Sequence, residues 1–333
     1  MTDLTGLTTP LCATLGIRHP VFQAPIGSAA TPELAAAVSG AGGLGSLALT
    51  WTPPAAAREA IRRVRELTDR PFAVNLVLDF PVEELLEVCL AERVPVLSTF
   101  WGDPTGVRAR VRGSGTVHLH TVGSVAEAGA AVEAGVDAVV AQGWEAGGHV
   151  RGRTSTMALV PAVVDRVAPV PVLAAGGIAD GRGLAAALAL GAQGAWMGTR
   201  FLTAHEAASH PTYRDAVRAA APDDAAYTRC FDGGWPDAPH RALRNSTMAA
   251  WEEAGSPAAP GRPDEGGVVA ADEAGGTHRR YEDTVPLAGM TGDLEALALY
   301  AGQSAGLVAD GAPAADLVTT ILAQARRLLP RLD

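Results

Sequence analysis

The sequence predicts an α/β fold, a (β/α)8 TIM barrel with an inserted lid or small second domain after the eighth strand. Short apolar runs alternate with helical patterns eight times within about 200 residues, which is the count for such a barrel. The predicted strand ends carry mostly small or amide-bearing residues. Composition then shifts from about His210 to Val285, where Pro, Gly, Asp and Arg interrupt every apolar run. The expected division is a barrel over residues 1–209 and 286–333, with 210–285 inserted. A doubly wound open sheet is the structural alternative, but nothing marks its strand-order reversal.

The elements follow in order. Val21 to Pro25 reads as the first buried strand, turned by Gly27 and Ser28. Thr31-Pro32-Glu33 has the N-cap, N1 proline and first-turn acid of a helix start. That helix runs to Ala41 and stops at Gly42-Gly43. Further strands are expected at Leu44–Leu49, Pro71–Leu78, Val94–Thr99, Thr116–Val122, Asp137–Gln142, Pro171–Ala175 and Gly194–Gly198. Helices are expected at Pro53–Thr68, Val82–Arg93, Asp103–Val111, Ser124–Ala134, Thr156–Ala168 and Leu184–Leu190. Ser124 with Glu127 reads as a capping box, and Asp180 as the cap of the helix after the seventh strand. Beyond the insertion, whose stretch 254–276 should be flexible, helices are expected at Asp293–Gly306 and about Ala314–Leu329.

Composition removes several functions. The chain has 333 residues and a formal net charge of −10, which argues against nucleic-acid and anionic-membrane surfaces. No apolar run reaches the roughly 18 residues of a membrane span. The N-terminus lacks a basic start followed by an apolar core, so no secretory signal is expected. Cys12, Cys89 and Cys230 are odd in number and widely spaced, which suggests a reducing, cytoplasmic setting and no metal pair. All 26 basic residues are Arg. Schiff-base aldolase, pyridoxal-phosphate and Walker-loop chemistry each need a Lys and are excluded.

The stretch Asp137–Gly152 is the most informative. An apolar strand releases a loop with Glu145, Gly147, Gly148 and His149. The glycines permit close backbone approach, and His149 exchanges a proton near neutral pH. Those residues alone leave two readings open: a catalytic loop, or a turn that His149 merely caps. At the other strand ends stand Ala24, Pro25, Ile26, Asn75, Gln142, Gly176, Gly177, Gly198 and Thr199. Amides suit the edge of a flavin or purine. Glycines before helix starts at the last two strands suit a phosphate held without Lys. His118 and His120 share one strand face and read as hydrogen-bonded core histidines. No residues have zinc-ligand spacing.

QAPIGSAATPELAAAVSGAGGLG, AVNL, AQGWEAGGHVRG, PVLAAGGIADG, GAWMGTRF and YAGQSAG together resemble the nitronate monooxygenase family of FMN-dependent β/α barrels. The resemblance implies FMN contacts at Asn75, Gln142, Gly147, Gly177 and the run Ala195-Trp196-Met197-Gly198-Thr199. It implies that Pro25 and Ile26 lie by the flavin ring and that Gln303 and Ser304 approach flavin or substrate. It makes His149 the active-site histidine, with a nitronate or nitroalkane and O2 as small-molecule partners. Ile26 stands where many relatives have Met, and Trp144 would narrow the pocket. A homodimer stays open.

Other functions compete. A flavin-dependent enoyl-ACP reductase shares this type of loop, although an acidic chain disfavours an acidic carrier. An IMP dehydrogenase type would need a loop Cys that is missing here. A flavin-binding module without turnover is the non-enzymatic alternative.

Overall fold

A computed structural model describes residues 7–329 of the chain; the first six residues, part of the stretch read for a leader, lie outside it. In chain order the elements are α1 Pro10–Leu15, β1 Val21–Gln23, α2 Pro32–Gly40, β2 Gly45–Ala48, α3 Pro54–Leu67, β3 Phe72–Val77, α4 Glu83–Ala91, β4 Val96–Phe100, α5 Thr105–Val111, β5 Val117–Val122, α6 Val125–Glu133 and β6 Ala138–Gln142. They continue with β7 Gly148–His149, α7 Thr156–Val167, β8 Val172–Ala175, α8 Gly181–Ala189, β9 Ala195–Met197, α9 Pro211–Ala219, β10 Ala225–Thr228, β11 His240–Leu243, α10 Ser246–Glu253, β12 Val268–Ala271, β13 Thr277–Arg279, β14 Thr291–Gly292 and α11 Ala314–Leu328.

The eight expected strands form one parallel sheet in the order β1-β9-β8-β6-β5-β4-β3-β2. Leu44 closes the ring, donating to Val21 O and accepting from Gln23 N just before β2. The barrel alternates as a strand must. Phe22, Leu44, Ala73, Val96, Leu119, Val140, Leu173 and Trp196 fill its interior. Leu11, Cys12 and Leu15 of α1 pack into that same interior cluster. The sequence reading passed over α1, a single short helix whose apolar residues look like a linker until they meet the barrel.

Local chemistry sets the helix starts. Thr31 Oγ1 accepts the Leu34 N–H at 2.9 Å, and Asp180 accepts the Arg182 and Gly183 N–H groups. Ser124 Oγ accepts the Glu127 N–H at 3.2 Å, while the Glu127 carboxylate takes Gly123 N–H rather than that of the cap.

Two expectations change. The segment Asp293–Gly306 is not a helix: it runs extended between two 3-10 turns, Leu294–Ala296 and Gln303–Leu307. Partners elsewhere hold the groups a helix would need. Leu299 O accepts Leu243 N–H at 2.8 Å, Ala298 N–H donates to Thr284 O, and Asn245 Nδ2 donates to Leu297 O. The stretch 254–276 is tied in rather than loose. Within it lies β12, which pairs with β13 and β14. Arg262 bonds Glu265 at 2.6 Å, pairs with Asp232 and stacks over the Tyr281 ring at 4.4 Å.

The rest of the insertion meets the barrel through β11. This strand pairs antiparallel with β10 on one side and with β7 on the other, setting His240 opposite His149. The loop that bears His149 is therefore an edge strand of the insertion's own sheet.

Candidate active site

A cavity of about 550 Å3 opens at the C-terminal ends of the strands. Ala24, Pro25, Ile26, Asn75, Gln142, Gly147, Gly148, His149, Gly176, Gly177, Trp196, Gly198, Thr199 and Ser304 all line it. Met197 does not: by strand alternation it faces outward, packed with Leu34, Phe201 and Leu317. Gln303 does not either; its N–H donates to Glu145 O at 3.0 Å and only its neighbour Ser304 reaches the cavity. Trp144 is also outside, stacked on Tyr227 at 4.1 Å and under the Arg241 guanidinium.

One end of the cavity is a cradle of backbone. The N–H groups of Gly176, Gly177, Gly198 and Thr199 have no backbone partner among the described residues. Gly177 sits at φ +71°, which a side chain would strain. Thr199 Oγ1 accepts Gly302 N–H at 2.9 Å, so its own proton stays available to a ligand. Here the expectation of a helix N-terminus is corrected: Asp180 already occupies the first N–H groups of α8. The cradle is made by the loop at Gly176-Gly177 and by the start of the 3-10 turn Thr199–Thr203, capped by Gly198.

The middle carries the amides. Asn75 Nδ2 donates to Ser98 Oγ at 3.0 Å, while Gln142 Nε2 donates to His149 O at 3.0 Å. Gln142 Oε1 is buried without a partner, as is His149 Nε2. Both residues line the cavity, where a bound ligand would give these atoms partners. Orphaned amide oxygen, free N–H cradle and volume together fit a flavin mononucleotide.

His149 lies at the other end. Its ring is 4.1 Å from Trp235, and 5.5 Å from both His240 and Tyr300. Burial pushes its imidazole down to about 3, and His240 adds to the shift. Burial also lowers His240, to about 4; its Nδ1–H donates to Ala238 O and its Nε2 accepts Phe231 N–H. The carboxylate facing His149 is Asp283, at 3.9 Å from Nε2. Burial raises Asp283, whose Oδ1 accepts the Tyr300 hydroxyl at 2.6 Å. Sequence reasoning missed Asp283, Trp235 and Tyr300. Asp283 and Trp235 sit in the insertion, where no motif marks them. Glu145, four residues before His149, accepts Thr156 N–H and Oγ1–H at the start of α7.

The two loop glycines differ in purpose. Gly148 adopts φ +68° with open space where a Cβ would be. Gly147 lines the cavity and is also tightly packed: an added Cβ would fall 2.3 Å from Gly302 N and 2.5 Å from Ala301 C. Neither backbone atom can yield, so Gly147→Ala is expected to lower stability by about 1–3 kcal/mol. A lowered urea midpoint checks this, and an unchanged one contradicts it.

His118 and His120 face outward, since their neighbour Leu119 points into the barrel. Both bond the Thr99 hydroxyl at 2.8 Å. They are core histidines, as read. Among the described residues no cluster could hold a metal, and the three cysteines are buried and free. No helix among them is long and apolar enough to cross a membrane.

The parallel eight-stranded barrel, with its cavity at the strand ends, is that of a β/α-barrel oxidoreductase. The chain belongs to the nitronate monooxygenase family, whose model matches residues 8–85 and 80–324. Among curated relatives, a nitronate monooxygenase of Pseudomonas aeruginosa is 36% identical, over 94% of this chain and 97% of its own. A (3aS,4S,5R,7aS)-5-hydroxy-7a-methyl-1-oxo-octahydro-1H-indene-4-carboxyl-CoA dehydrogenase of Rhodococcus jostii is 37% identical, over 76% of this chain and 70% of its own. Among solved structures, FabK from Thermotoga maritima superposes with a TM-score of 0.80 at 33% identity, covering 97% of each chain.

Proposed function

We propose that this chain oxidises nitronates, and nitroalkanes by way of them, using bound FMN and O2. The observation that carries the reading is the buried, unpartnered His149 across one cavity from the loop cradle at β8 and β9. Gly176, Gly177, Gly198 and Thr199 would hold the cofactor phosphate, and Asn75 and Gln142 the ring edge. When bound, the flavin accepts the substrate's electrons and passes them to O2.

The protein's part is proton handling and orientation. A neutral His149 can donate its ring N–H to a nitro oxygen without placing a net charge in the cavity. With a neutral nitroalkane it takes the α-proton. The imidazolium so formed lies 3.9 Å from Asp283, whose ionised form stabilises it. Tyr300 holds that carboxyl in place through the 2.6 Å bond. The aromatic rings around His149 exclude water.

FMN is favoured over FAD because the cavity offers one cradle and no dinucleotide fingerprint follows any strand. Cofactor released by heat is expected to run as FMN on a column; an FAD peak, or no flavin after reconstitution, contradicts this. Anaerobic ethylnitronate is expected to bleach the flavin bands. If NADPH bleaches them and a crotonyl thioester then restores them, while ethylnitronate does not bleach them, the enoyl reductase reading suggested by the likeness to FabK replaces this one.

A further inference from the structure

We infer that the outer part of the cavity is a binding site for an apolar substituent, so that the preferred substrates are nitronates bearing an aryl or bulky alkyl group rather than carboxylated ones. This rests on the proposed nitronate chemistry and narrows its substrate class.

Aromatic residues are scarce in this chain, at 5%. Several nevertheless gather at this end. Trp51, Phe80, Phe100 and Trp235 line the cavity, from the loops or ends of β2, β3 and β4 and from the insertion. Trp51 meets Phe80 edge-on at 5.1 Å, and Phe80 meets Trp235 at 5.2 Å. Trp235 in turn covers His149 at 4.1 Å. The rings form a continuous wall from the rim to the reacting end.

Two features mark this end of the cavity. Trp51 is 55% exposed, a large ring left in water at the rim. Trp101, packed behind Trp235 at 4.8 Å, holds φ +61°, a region that bulky residues rarely adopt. Backbone strain of this kind concentrates at ligand sites. The polar atom of Trp235 is already engaged, donating to Asp79 at 3.2 Å, so the wall offers ring surface.

The charge balance points the same way. No Arg lines the cavity, and the chain has no Lys. The ionisable lining groups are His149, His278, Asp283, Tyr213 and Tyr300. His278 already faces Asp272 at 3.5 Å and Glu282 at 3.7 Å. A carboxylate on the substrate would lose its water, gain no cation and approach Asp283.

The test uses the flavin-loaded enzyme and the nitronates of nitroethane, phenylnitromethane and 3-nitropropionate. Burying a phenyl ring should lower KM by about tenfold or more relative to nitroethane. The 3-nitropropionate anion should be the poorest of the three. Trp51→Ala and Phe80→Ala should each shrink the phenyl preference roughly three- to tenfold. A readout without turnover is the quenching of tryptophan fluorescence by benzyl alcohol, weaker in both variants, against propionate. Equal or better use of 3-nitropropionate overturns the inference and leaves the nitronate reading intact. So does a phenyl preference that neither variant alters. If no nitronate is oxidised while benzyl alcohol still quenches and both variants weaken it, the activity reading fails and the apolar site stands.

Discussion

Replacing His149 by Asn is expected to cost on the order of 10² to 10⁴ in kcat/KM on a neutral nitroalkane. On the preformed nitronate the loss should be much smaller, because the α-proton is already gone. Flavin should stay bound, since its proposed contacts come from other strand ends. The structure also fixes the pH behaviour. An imidazole held down to about 3 by burial is neutral from pH 5 to 8, and its protonated form depends on Asp283 for stabilisation. Rates on the neutral form of the substrate should therefore show no histidine limb in that window. A limb near about 6.5, the ordinary imidazole value, would mean that His149 titrates freely and would contradict the buried geometry. Equal losses on the two substrates would leave His149 as a positioning residue only.

The second large effect is on stability in acid. Burial lowers five imidazoles, His19 among them, and four strongly: His118 and His149 to about 3, His120 and His240 to about 4. The unfolded chain binds protons on these groups below about pH 6.5 while the folded chain does not. Their contribution is whole above that pH and is lost as pH falls toward 3 to 4. Between pH 6.5 and 5 each histidine contributes up to about 2 kcal/mol to this loss. The urea midpoint should therefore drop steeply over that interval. His120→Gln should flatten the slope by up to one proton even if it lowers the midpoint overall, because the variant has one fewer group to protonate on unfolding. A midpoint level from pH 7 to 5 would show these histidines charged in the native state.

Much of the barrel was legible because its signals are local. Thr31 and Asp180 cap helices with side chains two or three residues away from their targets, so the pattern is complete within a few positions. The strands read correctly because a run buried on both faces is mostly apolar, and β3 shows it with every residue buried and only Asn75 polar. The failures share the opposite cause. Asp293–Gly306 has helical composition, yet Leu243, Asn245 and Thr284 compete for its backbone, and they lie far away in sequence. Arg241 looks like any surface Arg in the string. In the fold it is buried, donating to Trp144 O at 2.8 Å and Ala225 O at 2.7 Å and so tying the insertion to the histidine loop.

The sequence by itself determined the barrel, the family and the ring of glycines, amides and His149 at the strand ends. These rest on short-range periodicity and on motifs whose residues are contiguous. Only the tertiary structure decided what surrounds His149: Asp283 rather than Glu145 faces its Nε2, and Trp235 and Tyr300 wall it in. It also decided that Met197 and Gln303 stay outside the cavity and that Gly147 packs against Ala301 and Gly302. The physical reason is that burial, and with it the protonation state of a histidine, is set by which distant segments fold over it, and no spacing along the chain records that.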